Sequence, residues 1–152
     1  MGLDMYLYKK VYITSGDWIK EEFREGITVT RGGNSHPTIK NDRIRYVIEE
    51  VGYWRKANHI HKWFVDNVQN GVDDCGSYRV TKSELKDLFE ICQEVVKDNS
   101  KAHELLPTNE GFFFGSIDYD QYYYGSIIET INILEDCLGD KDAESFEYHS
   151  SW

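Results

Sequence analysis

Gly52-Tyr53-Trp54-Arg55-Lys56-Ala57-Asn58-His59-Ile60-His61 is the stretch where the chain passes from one periodicity to another. Before it, Arg43-Ile44-Arg45-Tyr46-Val47-Ile48-Glu49-Glu50-Val51 reads as a strand rich in β-branched residues. After it, Ala57, Ile60, His61, Phe64, Val65 and Val68 recur at the spacing of a helix with one buried face. Asn70-Gly71 then supplies residues that tolerate the left-handed backbone of a helix end. A strand that runs into a helix across a turn this short predicts interleaved strands and helices in one domain.

The pattern extends both ways from this junction. Leu3, Met5 and Leu7 alternate with Asp4, Tyr6 and Tyr8, the period of a strand with one buried face. Thr14-Ser15-Gly16-Asp17 offers the start of a short helix through Phe23, and Ile27-Thr28-Val29-Thr30 a strand stopped at Gly32-Gly33-Asn34. Thr81-Lys82-Ser83-Glu84 has the form of a capping box, opening a helix that buries Leu85, Leu88, Phe89, Cys92, Val95 and Val96. Gly111-Phe112-Phe113-Phe114-Gly115 is too short and too aromatic for a free helix and is expected as a buried strand. A third long helix is expected from about Asp120 to Leu138, with Tyr123, Ile127, Thr130, Ile131, Leu134 and Cys137 on its buried stripe. Phe146, Tyr148, Ser150 and Trp152 alternate with polar residues as a last strand. The resulting order is β-(α)-β-β-α-β-α-β-α-β. It predicts a single α+β domain over residues 1–152, with a mixed or antiparallel sheet and about three main helices packed on it.

Composition narrows the function classes. The 152 residues carry 27 acidic and 17 basic side chains, a net charge of −10. Residues 1–62 hold 11 Lys and Arg against 8 Asp and Glu, and the remainder six against 19. Duplex nucleic acid is therefore not an expected partner, because its binding is dominated by phosphate neutralisation. A local pair of cations can still focus potential on a small anion. No stretch approaches the ~20 apolar residues of a membrane span, and the opening Met1–Lys10 lacks the layout of a signal peptide. Three cysteines do not make a disulfide framework. A soluble protein of the cytoplasm, with no membrane partner, is the expectation.

Two segments gather groups that recognise ligands. In the first, Trp54 and Tyr53 can stack on a flat ring, Arg55 and Lys56 can neutralise phosphate or carboxylate, and Asn58 can read an amide or base edge. The start of the following helix also favours an anion through its free N–H groups and dipole. The same residues equally suit a strand–helix corner with a core Trp and a salt-bridged Arg. In the second, residues 111–124 hold seven aromatics, and three successive tyrosines cannot share one face of a helix, so Tyr122 or Tyr124 must meet solvent, a ligand or another subunit. His59 and His61 lie about 200° apart on a helix and cannot grip one metal ion; His61 belongs to the apolar stripe and His59 is expected in solvent. Asp73 and Asp74 can hold Mg²⁺ or a ribose, or simply cap a turn, and they oppose thiolate formation at Cys75. Cys92 and Cys137 read as small hydrophobes. No phosphate-binding glycine loop, nucleophile elbow or metal-ligand motif is present, so no catalytic residue, metal or cofactor is assigned.

The blocks MGLDMYLYKK, VGYWRKANHIHKWFVDNVQNGVDDC, GFFFGSIDYDQYYY and SSW together resemble a family of small uncharacterised proteins of bacteriophages and prophages. The resemblance spans nearly the whole chain and is weaker from Ile13 to Asn41. It implies a non-structural phage protein in the cytoplasm of a bacterium, and it carries no established activity.

The leading expectation is binding without catalysis of a small anionic, planar ligand, a nucleotide-derived signal of host defence. The expected ligand-binding residues are Trp54, Arg55, Lys56, Asn58, His61, Asp74, Tyr119 and Tyr122. Two alternatives stand beside it. One is an acidic interaction protein that inhibits a host protein; the other is a small nucleotide hydrolase using His61, Asp73 and Asp74. A homo-oligomer fits all three.

Overall fold

The computed structural model describes residues 2–143 and 145–152. Its elements in chain order are β1 (Asp4–Tyr12), β2 (Thr30–Arg31), β3 (Asn34–Ser35), β4 (Tyr46–Arg55), α1 (Asn58–Asn67), β5 (Ser77–Thr81), α2 (Lys82–Lys97), α3 (Ala102–Leu105), α4 (Gln121–Gly139) and β6 (Ser145–Ser151), with three single turns of 3₁₀ helix between them. This is an α+β fold with an antiparallel sheet. The chain divides into two compact units, Met1–Lys9 with Glu50–Trp152, and Lys10–Glu49.

The first unit is built on a four-stranded sheet of order β4-β1-β6-β5. Strand β6 lies antiparallel to both of its neighbours, with Leu7 opposite Tyr148 and Val80 opposite Phe146. Period-2 alternation decides which face is covered. Leu3, Met5, Leu7, Val80, Phe146 and Tyr148 point into the core, where Ile60, Phe64, Leu85, Leu88, Ile127 and Leu134 meet them. The opposite face carries a group of rings, with Tyr6 5.3 Å from Tyr53 and 6.1 Å from His149 between centroids.

Helix starts and stops follow local chemistry. The Thr81 hydroxyl accepts the Glu84 N–H while the Glu84 carboxylate accepts the Thr81 N–H, so the capping box ends β5 and begins α2 in one residue. Asn70 and Gly71, with φ of 54° and 78°, turn the chain away from α1. Helices α2 and α4 pack against each other. Cys92 and Cys137 lie buried on them, and burial pushes their thiols up to about 12 and about 11.

The second unit, Lys10–Glu49, has little regular structure. The strand expected at Ile27–Thr30 contributes only Thr30 to the two-residue ladder of β2 with β3, closed by Gly32 and Gly33 at φ 59° and 81°. The helix expected from Thr14 to Phe23 is a single 3₁₀ turn at Glu21–Phe23 that buries nothing. Without a buried stripe, a short helix has no packing to offset its nucleation cost.

Three other expectations are corrected. Gly111–Gly115 is a turn, not a buried strand: the Phe114 N–H donates to Gly111 O, Phe113 O accepts the Leu3 N–H, and Phe112 is 95% exposed. A run of three rings between glycines lacks the alternation that a strand face requires. Strand β4 starts at Tyr46 and reaches Arg55, beyond the expected end at Val51. Val96, expected inside, is exposed, while Val95 beside it is fully buried.

Candidate ligand-binding cleft

Within the first unit, the end of β4, the first turn of α1, the loop after Phe114 and the N-terminal half of α4 enclose a cleft of about 780 Å³. The two segments singled out by sequence therefore meet at one place. Of the expected residues, Arg55, Lys56 and Tyr122 line this cleft.

Its floor depends on two left-handed residues. Lys56 has φ 57°, uncommon for a residue with a side chain, and is held there by its N–H donating to Leu3 O at 2.8 Å. Gly115, at φ 86°, faces it so closely that a Cβ would sit 3.0 Å from Lys56 Cβ. The positive φ favours glycine at 115, and a Cβ there would also press on the Lys56 side chain. Arg55 stands 3.8 Å from Asp4, at an exposed position where such a pair contributes little.

Helix α1 begins beside Lys56. Its N-cap residue, Ala57, has no side chain able to accept a hydrogen bond, so the first N–H groups of the helix have no side-chain cap. Helix α4 differs: Asp120 accepts from the N–H groups of Tyr122 and Tyr123. The positive end of α1 and the cations of Arg55 and Lys56 bring positive character to one part of the wall.

Asn58 is 1% exposed and acts as a bracket. Its amide donates to Phe114 O at 3.0 Å and Ser116 O at 2.8 Å, and its carbonyl accepts the Asn109 N–H at 2.9 Å. Every bond ties α1 to the loop of residues 109–116, so Asn58 shapes the cleft and reads no ligand.

Trp54 is also corrected. Successive strand residues face opposite ways, so Trp54 points inward when Arg55 points out. It is 1% exposed, its indole N–H donating to the Thr130 hydroxyl at 2.9 Å. It cannot stack on a ligand.

His61 is fully buried. Its Nδ1 bonds the Tyr148 hydroxyl at 2.8 Å and its Nε2 bonds Asp73 at 2.9 Å. Burial lowers its pKa, and the nearby Asp73 only partly opposes this. One nitrogen is engaged by the buried Tyr148 and the other by the partly exposed Asp73, and His61 does not line the cleft.

Asp74 does not line the cleft. It accepts the Gly76 N–H at 2.8 Å and the Tyr78 hydroxyl at 2.9 Å, which makes it the cap of a turn. Tyr119 is likewise structural, packed 3.9 Å from His103 and 4.8 Å from Tyr123, its hydroxyl accepting the Thr108 N–H. Tyr122, 76% exposed, is the one of the three successive tyrosines most open to solvent.

His59, expected in solvent, is instead 4% exposed at the back of the cleft. Its ring packs 4.2 Å from Tyr123, and its Nε2 bonds the Ser126 hydroxyl at 2.9 Å. Burial drives its pKa down to about 3, so it is a neutral group at pH 7. Helix α1 is covered on more than one side, which a single apolar stripe does not reveal.

Among the cleft residues that sequence reading passed over are Gly125, Ser126 and Glu129 of α4, which with the expected Tyr122 follow i, i+3, i+4 and i+7. A polar stripe with glycine inside a helix was the available signal. A Cβ at Gly125 would meet nothing within 4 Å, so no neighbour requires glycine there.

No described helix is long and apolar enough to cross a membrane, and no group of three or more His, Cys, Asp or Glu among the described residues is placed to hold a metal ion. No family model, curated protein or solved structure matches the chain.

Proposed function

We propose that this protein binds a small, anionic, planar ligand in the cleft and does so without catalysis. The observation that carries the reading is the meeting of Arg55, Lys56 and Tyr122 around one cavity at the uncapped start of α1. The cations and helix dipole suit phosphate. The Tyr122 ring offers a stacking surface of the kind that binds nucleobases. A nucleotide-derived molecule combines both features, and sequestration of such a signal fits the resemblance to phage proteins. Hydrolysis through His61, Asp73 and Asp74 is disfavoured because His61 is sealed in the core.

Lys56 adds support. A left-handed residue with a side chain costs roughly 1–2 kcal/mol, and glycine would relieve that cost. The lysine at this strained position places its side chain on the cleft wall.

The test is native followed by denaturing mass spectrometry on protein purified gently from bacteria, with calorimetric titration of nucleotides where it emerges empty. The reading expects a phosphate-bearing ligand at unit stoichiometry, and weaker binding after Arg55→Ala and Lys56→Gly. The second variant should fold at least as stably as the parent, so its lost affinity cannot be blamed on misfolding. A ligand without an anionic group, or one held equally well by both variants, sinks the proposal.

A further inference from the structure

The α4 wall carries more information than the anion reading uses. Three carboxylates line the cleft, and two are committed: Asp118 accepts the Ser116 hydroxyl at 3.1 Å, and Asp120 caps α4. Glu129 has no hydrogen bond or ion pair among the described residues. It stands one helical turn beyond Gly125, and Tyr122 stands one turn before it. Gly125, with open space where a Cβ would be, leaves flat backbone between a ring and a free carboxylate.

Resting on the proposed function, we infer that this stripe selects the base, and that the base is guanine. An ionised carboxylate only accepts hydrogen bonds, and it accepts two in parallel when the partner offers two adjacent donors. Guanine presents N1–H and the 2-amino group side by side on one edge. Adenine and cytosine each place an amino donor beside a ring-nitrogen acceptor, and uracil flanks its N–H with two carbonyls, so each would set a lone pair against Glu129. A guanine ring lying over Gly125 beside Tyr122 turns its donor edge to Glu129, while its phosphate is neutralised by Arg55 and Lys56.

Calorimetric titration with GMP, AMP and inorganic phosphate tests this on the full chain. GMP should bind roughly tenfold or more tightly than AMP, the scale of a bidentate base contact. Glu129→Gln, an exposed and nearly isosteric change, should reduce that ratio to near one by weakening GMP. Equal affinities in the parent, or a preference for GMP that survives Glu129→Gln, overturn the guanine assignment and leave the anion cleft standing. Failure of both nucleotides and of phosphate to bind overturns both.

Discussion

Replacing Gly125 by alanine separates what α4 needs to fold from what the cleft needs to stay open. Gly125 is the fifth residue of a 19-residue helix, exposed, with no atom within 4 Å of a Cβ built on it. Glycine inside a helix is less favourable than alanine by about 0.8–1 kcal/mol, mainly through the backbone freedom lost on folding. With no clash to set against that gain, Gly125→Ala should stabilise the protein by about 0.5–1 kcal/mol. In a chain of this size that is a rise in Tm of roughly 2–4 °C per kcal/mol. Urea unfolding should show a higher midpoint at unchanged slope, since the area exposed on unfolding barely changes. Gly125→Leu keeps good helix propensity while projecting four more carbons into the cleft, and should weaken GMP binding without loss of stability. Destabilisation by Gly125→Ala would refute the claim that nothing in the fold requires glycine there. Unchanged GMP affinity in the leucine variant would show that the ligand does not lie over this turn.

Acid should weaken the fold through its buried histidines. His59 is held near a pKa of about 3 by burial, against about 6.5 when unfolded, so between those values the unfolded chain binds more protons than the native one. Stability therefore falls as pH drops through that window, by about 2 kcal/mol from pH 7 to pH 5 for His59 alone. His61, also lowered by burial, adds loss of the same sign. Urea midpoints across this range should flatten in His59→Gln, and an unchanged slope would contradict the assignment of a neutral buried ring. Asn58→Ala removes a side chain that makes three hydrogen bonds in buried or half-buried surroundings, and should cost about 3 kcal/mol of unfolding free energy; a cost under about 1 kcal/mol would mean that the bracket does not hold the loop.

Much of the scaffold was legible because its signals are local. The alternation of Leu3, Met5 and Leu7, the Thr81–Glu84 capping box, the α4 stripe and the Asn70-Gly71 stop each depend on residues within a turn or two, and each element forms near its expected place. The segments that failed, Thr14–Phe23, Ile27–Thr30 and Gly111–Gly115, have sequences that suit several local conformations. Packing and distant hydrogen bonds decide among them. The Phe113 carbonyl, for example, is fixed by the Leu3 N–H, more than a hundred residues away in the chain.

The site divides along the same line. The cations Arg55 and Lys56 beside Trp54, and the rings of residues 119–124, are visible in the sequence because side-chain chemistry is written directly in the residues. Which of them are available to a ligand depends on the folded chain. Trp54 and His61 reach partners 76 and 87 residues away, Thr130 and Tyr148, and those bonds consume them. His59 went the other way, from an expected solvent face to the back of the cleft, because α4 covers a side of α1 that no apolar periodicity marked. A residue's chemistry is local, but its burial is set by whatever the rest of the chain brings against it, and burial decides whether that chemistry serves the core or a ligand.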